Sequence, residues 1–139
     1  MDDMERIIVV FGTLENGDLW KGHFGDAEFF TKYDFFSGGA YEFTGRIKNL
    51  KKNEGEKHGS TEKMQGVKGL LSGCDCVAAC VMSPNFRKMA ENTVIQPVVV
   101  KGCENAGNFI KKIAYNYTLI SSKVAGRKAG VRDTDIPVF

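Results

Sequence analysis

The alternation over residues 75–117 constrains this chain more than any other feature. Two short apolar runs, DCVAACV (75–81) and VIQPVVV (94–100), are separated by SPNFRKMAENT, and the second leads into a segment with Ala106, Phe109, Ile110, Ile113, Ala114 and Tyr117 on one helical stripe. Short apolar runs without polar alternation read as strands buried on both faces. In SPNFRKMAENT, Ser83 is placed as an N-cap, Pro84 takes the first helical position, and Phe86, Met89 and Ala90 share one face. Strands joined through a helix run parallel, with a right-handed crossover. Pro97 inside the second run lacks an N–H and argues for a sheet edge.

The N-terminal half adds a different pattern. RIIVVFG (6–12) is a third buried strand, and FFTKYDFF and AYEFTGRI, joined by Ser37-Gly38-Gly39, read as an antiparallel hairpin. KNLKKNEGEKHGS (48–60) is polar and charged and reads as a mobile loop carrying His58. Beyond it Met64, Val67, Leu70 and Leu71 recur at helical spacing up to Ser72-Gly73. The simplest assembly is an α/β fold, a mixed five-stranded sheet with three helices. The hairpin lies on one side, the first strand in the middle and the proline-bearing strand at the far edge, which is the layout of a ribonuclease H-like motif. This domain is expected over residues 1–118. Residues 119–139 lose periodicity and read as a partly disordered tail. Their Lys123, Arg127, Lys128 and Arg132 give at most a weak attraction for a polyanion, diluted by Asp133 and Asp135.

Composition supports one folded domain. The chain has 139 residues, 42% apolar and 26% charged, and its net charge of +2 argues neither for nor against an acidic partner; no nucleic-acid partner is expected. The opening MDDMERIIVVFG is acidic and its apolar run is too short for a signal peptide or a membrane span, so a cytoplasmic protein is expected. Four cysteines in a reducing compartment are thiols or metal ligands rather than disulfides, and core packing is the default for each.

Ligands of open α/β sheets bind beyond the carboxyl ends of the parallel strands. By that rule the loop after the first strand, which carries His23, and the two later strand ends, which carry Cys80 and Cys103, emerge at one edge. The helix starting at Ser83-Pro84-Asn85 directs its free N–H groups there, which favours an anionic guest. Cys76 and Cys80 lie four residues apart on a strand, about 13 Å, so Cys74 and Cys76 belong to the other end and a four-cysteine zinc site is not expected despite the count. Trp20 and Phe24 are expected as lid or core aromatics.

Enzyme readings lack their parts. IIVVFG carries no acid to hold magnesium for a nuclease, Asp75 lies at the wrong end of its strand, and neither a phosphate-binding loop nor a G-x-S-x-G elbow is present.

The chain resembles the dinitrogenase iron–molybdenum cofactor-binding family. The resemblance runs in order over roughly residues 6–118. It is carried by RIIVVFG, the HFG turn (His23-Phe24-Gly25) with EFFTKYDF after it, the loop KNEGEKHGS, and GCDCVAACVMSPNFRKMAENTVIQPVVVKG. It departs from the family at CVMSPN, where a glycine-rich turn is usual. The resemblance implies a ribonuclease H-like fold and a cofactor-ligand role for His23. Edge placement adds Cys80 and Cys103 as soft ligands, so His23, Cys80 and Cys103 are the candidate metal ligands, with Phe24, Gly25, Ser83 and Asn85 around them. The expected function is a non-catalytic carrier for the iron–molybdenum cofactor or another iron–, molybdenum– or copper–sulfur cluster. Its partner would be a cofactor-assembly or acceptor protein, with no membrane. A thiol-based redox or metal-sensing protein, and an interaction domain that has lost the cluster, are the alternatives.

Overall fold

The computed structural model describes residues 5–49, 71 and 73–139. Five strands, β1 (Arg6–Thr13), β2 (Phe29–Phe36), β3 (Tyr41–Lys48), β4 (Cys76–Ala79) and β5 (Gln96–Val99), form one sheet in the order β3-β2-β1-β4-β5. The β1–β2 and β2–β3 pairs are antiparallel, and the β1–β4 and β4–β5 pairs are parallel. This is the mixed sheet, ribonuclease H-like in order, that the alternation of strands and helices requires. Among the described residues there are three helices, α1 (Pro84–Asn92), α2 (Ala106–Tyr115) and α3 (Tyr117–Lys128). None of them is long and apolar enough to cross a membrane.

The helix expected before Gly73 and the loop carrying His58 lie outside the described residues, Leu71 excepted. At Leu71 the expected stop is present, because the Cys74 N–H donates to the Leu71 carbonyl at 2.9 Å while Gly73 takes φ +84.

The unbroken apolar run of β1 follows from burial on both sides. Ile7, Val9 and Phe11 face one layer with Val98, Phe109 and Ile113, under α2 and α3. Val10 faces the other with Val77, Phe24, Phe30 and Phe86 of α1. Each fully buried side chain of this size contributes roughly 1.5–3 kcal/mol of transfer free energy. The hairpin turns where expected, with the Phe36 N–H donating to Ala40 O at 2.9 Å and Gly38 and Gly39 both at left-handed φ. Its aromatics divide. Phe30 and Phe35 are buried, whereas Tyr41 and Phe43 on the outer strand stay exposed.

The expectation of a partly disordered tail over 119–139 is corrected here. Tyr117–Lys128 is helical, with Tyr117, Ile120, Ser121, Val124 and Arg127 turned inward. The last residues then run beside β5, in a parallel bridge between Val99 and Val138. The reason lies in the hydrogen-bonding polarity of β5. The Gln96 and Val100 amides donate inward to β4, so Pro97, Val99 and Lys101 point their nitrogens outward, and Pro97 has no N–H to lose there. Val99 N–H donates to Pro137 O at 2.9 Å and Lys101 N–H to Phe139 O at 2.9 Å. The proline-bearing strand is the last of the five strands in the sheet, but its outer edge is partly covered.

Three of the four basic residues named in this region, Lys123, Arg127 and Lys128, are paired within the protein. Lys128 Nζ lies 2.6 Å from the buried Asp75 carboxylate, and Lys123 Nζ lies 3.0 Å from Asp133 and 3.5 Å from Asp135. Arg127 is buried and donates to backbone carbonyls of Ala90, Thr93, Val94 and Asp133.

Candidate functional site

Beyond β1 the chain doubles back at once. Thr13 bridges Leu19 in antiparallel fashion, Leu14 N–H donates to Asp18 O at 2.8 Å, and Trp20 N–H donates to Gly12 O at 3.1 Å. Trp20 is thereby laid against Gly12. A Cβ on Gly12 would stand 2.6 Å from the Ala27 Cβ and 3.3 Å from Trp20, so only glycine admits both neighbours. The Trp20 indole N–H then donates to the His23 carbonyl at 2.8 Å.

His23 opens a single 3-10 turn over Phe24–Asp26, and its side chain is exposed and makes no capping bond. The turn closes through Asp26 N–H to His23 O at 3.0 Å and Ala27 N–H to Phe24 O at 3.3 Å. Phe24, expected among the residues that touch a guest, is instead 4% exposed. Its ring packs 4.9 Å from Phe30 and 5.8 Å from Phe86, so it anchors the turn in the core. From the far side the Asn49 carboxamide donates to Gly25 O at 2.9 Å and Ala27 O at 2.8 Å.

The other predicted residues approach from β4 and β5. Cys80 is half-buried and its thiol donates to Trp20 O at 3.7 Å, which ties the end of β4 to the His23 turn. Ser83 is buried and caps α1, accepting from Phe86 N–H at 3.3 Å. The Asn85 amide on the first turn of α1 lies 3.6 Å from where a Cβ on Gly25 would be. Cys103 follows Gly102, which takes φ +76, and its thiol lies 3.8 Å from Lys101 O. Asn105 caps α2 by accepting from Asn108 N–H at 2.9 Å, so a second helix starts just past the end of β5.

Burial pushes the Cys80 thiol above its ordinary range, the neighbouring Cys103 thiol adds to this, and Lys21 opposes it. Cys80 is therefore a neutral thiol near pH 7, and a metal that binds it must displace the proton. Among the described residues no group of three or more His, Cys, Asp or Glu is arranged to hold a metal ion. His23, Cys80 and Cys103 are thus not arranged as a three-ligand site for a single ion. A cleft of about 710 Å³ runs along α3 past Tyr115, Leu119 and Val131, away from all of these residues.

At the opposite end of the sheet, Cys74 and Cys76 pack into opposite layers of the core. Asp75 between them accepts from Ile8 N–H at 2.8 Å and pairs with Lys128, a structural use of this acid.

Sequence reasoning missed the contributions of Gly12, Asn49 and Asn105 to this edge. Asn49 adjoins the charged run that follows β3, and its polarity was indistinguishable from that of the loop. The family description for the dinitrogenase iron-molybdenum cofactor matches residues 5–115, which span every element from β1 to α2. No curated protein shows significant similarity to the chain. The match takes in the HFG turn, the end of β4 and the start of α1, and by it the chain belongs to the dinitrogenase iron-molybdenum cofactor family.

Proposed function

We propose that this protein is a cytoplasmic, non-catalytic carrier of the iron–molybdenum cofactor or a related metal–sulfur cluster, which it passes to an assembly or acceptor protein. The observation that carries this reading is the setting of His23. Its side chain is exposed on a turn held by Trp20, Asn49 and Phe24, beside Cys80 and the start of α1. A neutral imidazole nitrogen on a fixed backbone suits a borderline metal centre, and Cys80 and Cys103 add soft donors once deprotonated.

At the first turn of α1, Pro84 has no N–H and the Phe86 amide is taken by Ser83, so what the turn offers anionic sulfides is the Asn85 N–H and the positive end of a helix dipole. An edge of this kind, with donors approaching from one side, suits a carrier that must release its cargo to a partner. The cluster is cargo, and none of these residues needs to turn it over.

One observation favours a second reading. The Cys80 thiol responds to Cys103, which brings two thiols into one electrostatic neighbourhood and would suit a thiol-based redox or metal sensor.

Titration of the purified protein with thiomolybdate or with iron and sulfide, read by charge-transfer absorbance, separates these readings. Binding by wild type that is lost in His23→Ala supports the carrier. Absence of binding by wild type removes the carrier reading and leaves an interaction domain. Equal binding by wild type and His23→Ala removes His23 as a ligand, and loss confined to Cys80→Ser or Cys103→Ser moves the function to the thiols.

A further inference from the structure

We infer that Asn49 is the positioning residue of the His23 turn, a carboxamide clamp that holds the imidazole in place for its guest. It rests on the carrier reading only for what His23 binds.

The side chain is 4% exposed and sits 22 to 24 residues from the groups it holds. Its Nδ2 donates at 2.9 Å to Gly25 O and at 2.8 Å to Ala27 O, the carbonyls on either side of the end of the turn. A carboxamide is the one short side chain with two donors on a single nitrogen. Aspartate at this position would set a negative acceptor against two carbonyls, and serine has one donor on a shorter reach. The residue type is therefore specified by the turn.

The register of the hairpin delivers it there. Phe29 pairs with Lys48 and Phe30 with Ile47, so Asn49, the residue just after β3, falls opposite Glu28 and donates its own N–H to Glu28 O at 2.9 Å. A slip of one residue would turn the carboxamide to the other face. Together with the Trp20 indole on His23 O, the clamp leaves the carbonyls of residues 23, 24, 25 and 27 all paired within the protein. The backbone carrying His23 is thus fixed from both ends, while His23 itself is exposed.

The test uses the full chain. In the wild type, the Asn49 side-chain amide protons should exchange slowly and show through-hydrogen-bond couplings to the Gly25 and Ala27 carbonyl carbons; absence of either coupling overturns the clamp. Asn49→Ala should raise amide exchange at Asp26 and Ala27 at least tenfold while Val9 and Val10 stay protected, and Asn49→Asp, which keeps the shape, should do the same. Thiomolybdate affinity should fall about tenfold to a hundredfold in Asn49→Ala, the range for groups that orient a metal ligand.

The His23→Ala/Asn49→Ala double variant should bind no more weakly than His23→Ala, because Asn49 acts through the imidazole. An additive loss in the double variant, or unchanged exchange at the turn, overturns the proposal. Absence of thiomolybdate binding by the wild type overturns the carrier reading instead, and the couplings and exchange rates still decide whether Asn49 is the clamp.

Discussion

The Trp20 indole N–H donates to the His23 carbonyl at 2.8 Å, and the carbonyl of the same tryptophan accepts the Cys80 thiol at 3.7 Å. One residue thus joins the turn after β1 to the end of β4, and the relative placement of the imidazole and the thiol is fixed through it. The site is held by one residue, through its indole on the His23 side and its backbone carbonyl on the Cys80 side.

Trp20→Phe keeps an aromatic ring near Gly12 and Gly22 and deletes the donor. The expected loss is about 1 kcal/mol in urea denaturation, the net worth of one hydrogen bond. Thiomolybdate affinity should fall together with stability, because the His23 backbone loses one of its ties. Unchanged affinity in a destabilised Trp20→Phe protein would mean that Trp20 serves packing alone.

Much of this geometry could be read from local signals. Ser83-Pro84 gave the start of α1 because the cap and the proline act within one turn, and the cap bond to Phe86 N–H is present. Ser37-Gly38-Gly39 gave the hairpin because left-handed backbone is a local demand. α3 was not legible. Its inward face includes Ser121 and Arg127, and burial of Arg127 depends on carbonyls of α1 and of the 93–94 turn, more than thirty residues away. The clamp by Asn49 was hidden for the same reason, since its partners become neighbours only through hairpin register. For Phe24 the sequence left lid and core open, because an aromatic in a turn next to a candidate ligand looks the same whether it faces a guest or the core, and the structure puts it in the core.

Alkaline pH should destabilise the protein through Cys74. Burial, and then Asp75, push this thiol from 9.0 up to about 12, and Cys76 is pushed up as well by burial. An unfolded thiol ionises near 9 while the folded one holds its proton to about 12, so the native state binds more protons across that interval. The stabilisation is complete below pH 9 and is lost as pH rises toward 12, at up to about 1.4 kcal/mol per unit for this one group. Urea midpoints at pH 7 and 8 should be close for wild type and fall at pH 10 and again at pH 11, less steeply for Cys74→Ala. Parallel slopes for the two proteins would remove Cys74 as the source.

Alkylation with iodoacetamide at pH 8 should distinguish the two ends of the sheet. The half-buried Cys80 and Cys103 should be modified in the folded protein, and Cys74 and Cys76 only after denaturation. Modification of Cys76 at a rate matching Cys103 would contradict the placement of Cys76 inside β4.

Deleting residues 134–139 should uncover β5. The outward amides of Val99 and Lys101 lose Pro137 and Phe139 as acceptors, Phe139 N–H loses Val99 O, and the core loses Ile136 and Phe139 from its two layers. Three hydrogen bonds at about 1 kcal/mol each put the loss near 3 kcal/mol before any apolar contribution. An uncovered strand edge also invites pairing between molecules, so light scattering should rise on warming. A melting temperature equal to that of the full chain would restore the description of this segment as a tail.

Arg127 gives the sharpest test of α3. Its guanidinium donates to Ala90 O at 2.8 Å, Val94 O at 3.2 Å and Asp133 O at 2.7 Å, and also to Thr93 O, so one side chain closes the end of α1 against the C-terminal segment. Burial lowers its pKa, with Asp133 opposing, a shift a guanidinium tolerates while staying charged. Arg127→Met fills part of the volume but leaves these carbonyls without donors, at a cost of about 3 kcal/mol or more and a melting temperature lower by roughly 10 °C. Arg127→Lys keeps the charge yet presents one ammonium where a planar fork reaches five carbonyls, Met89 O among them, so it should recover less than half of the loss. Full recovery by lysine would show that charge alone matters, and wild-type melting in Arg127→Met would show that the carbonyls find water instead. With the fork removed, amide exchange should rise first at Asn92 and Thr93, where α1 ends, before it rises at Phe86 in the first turn.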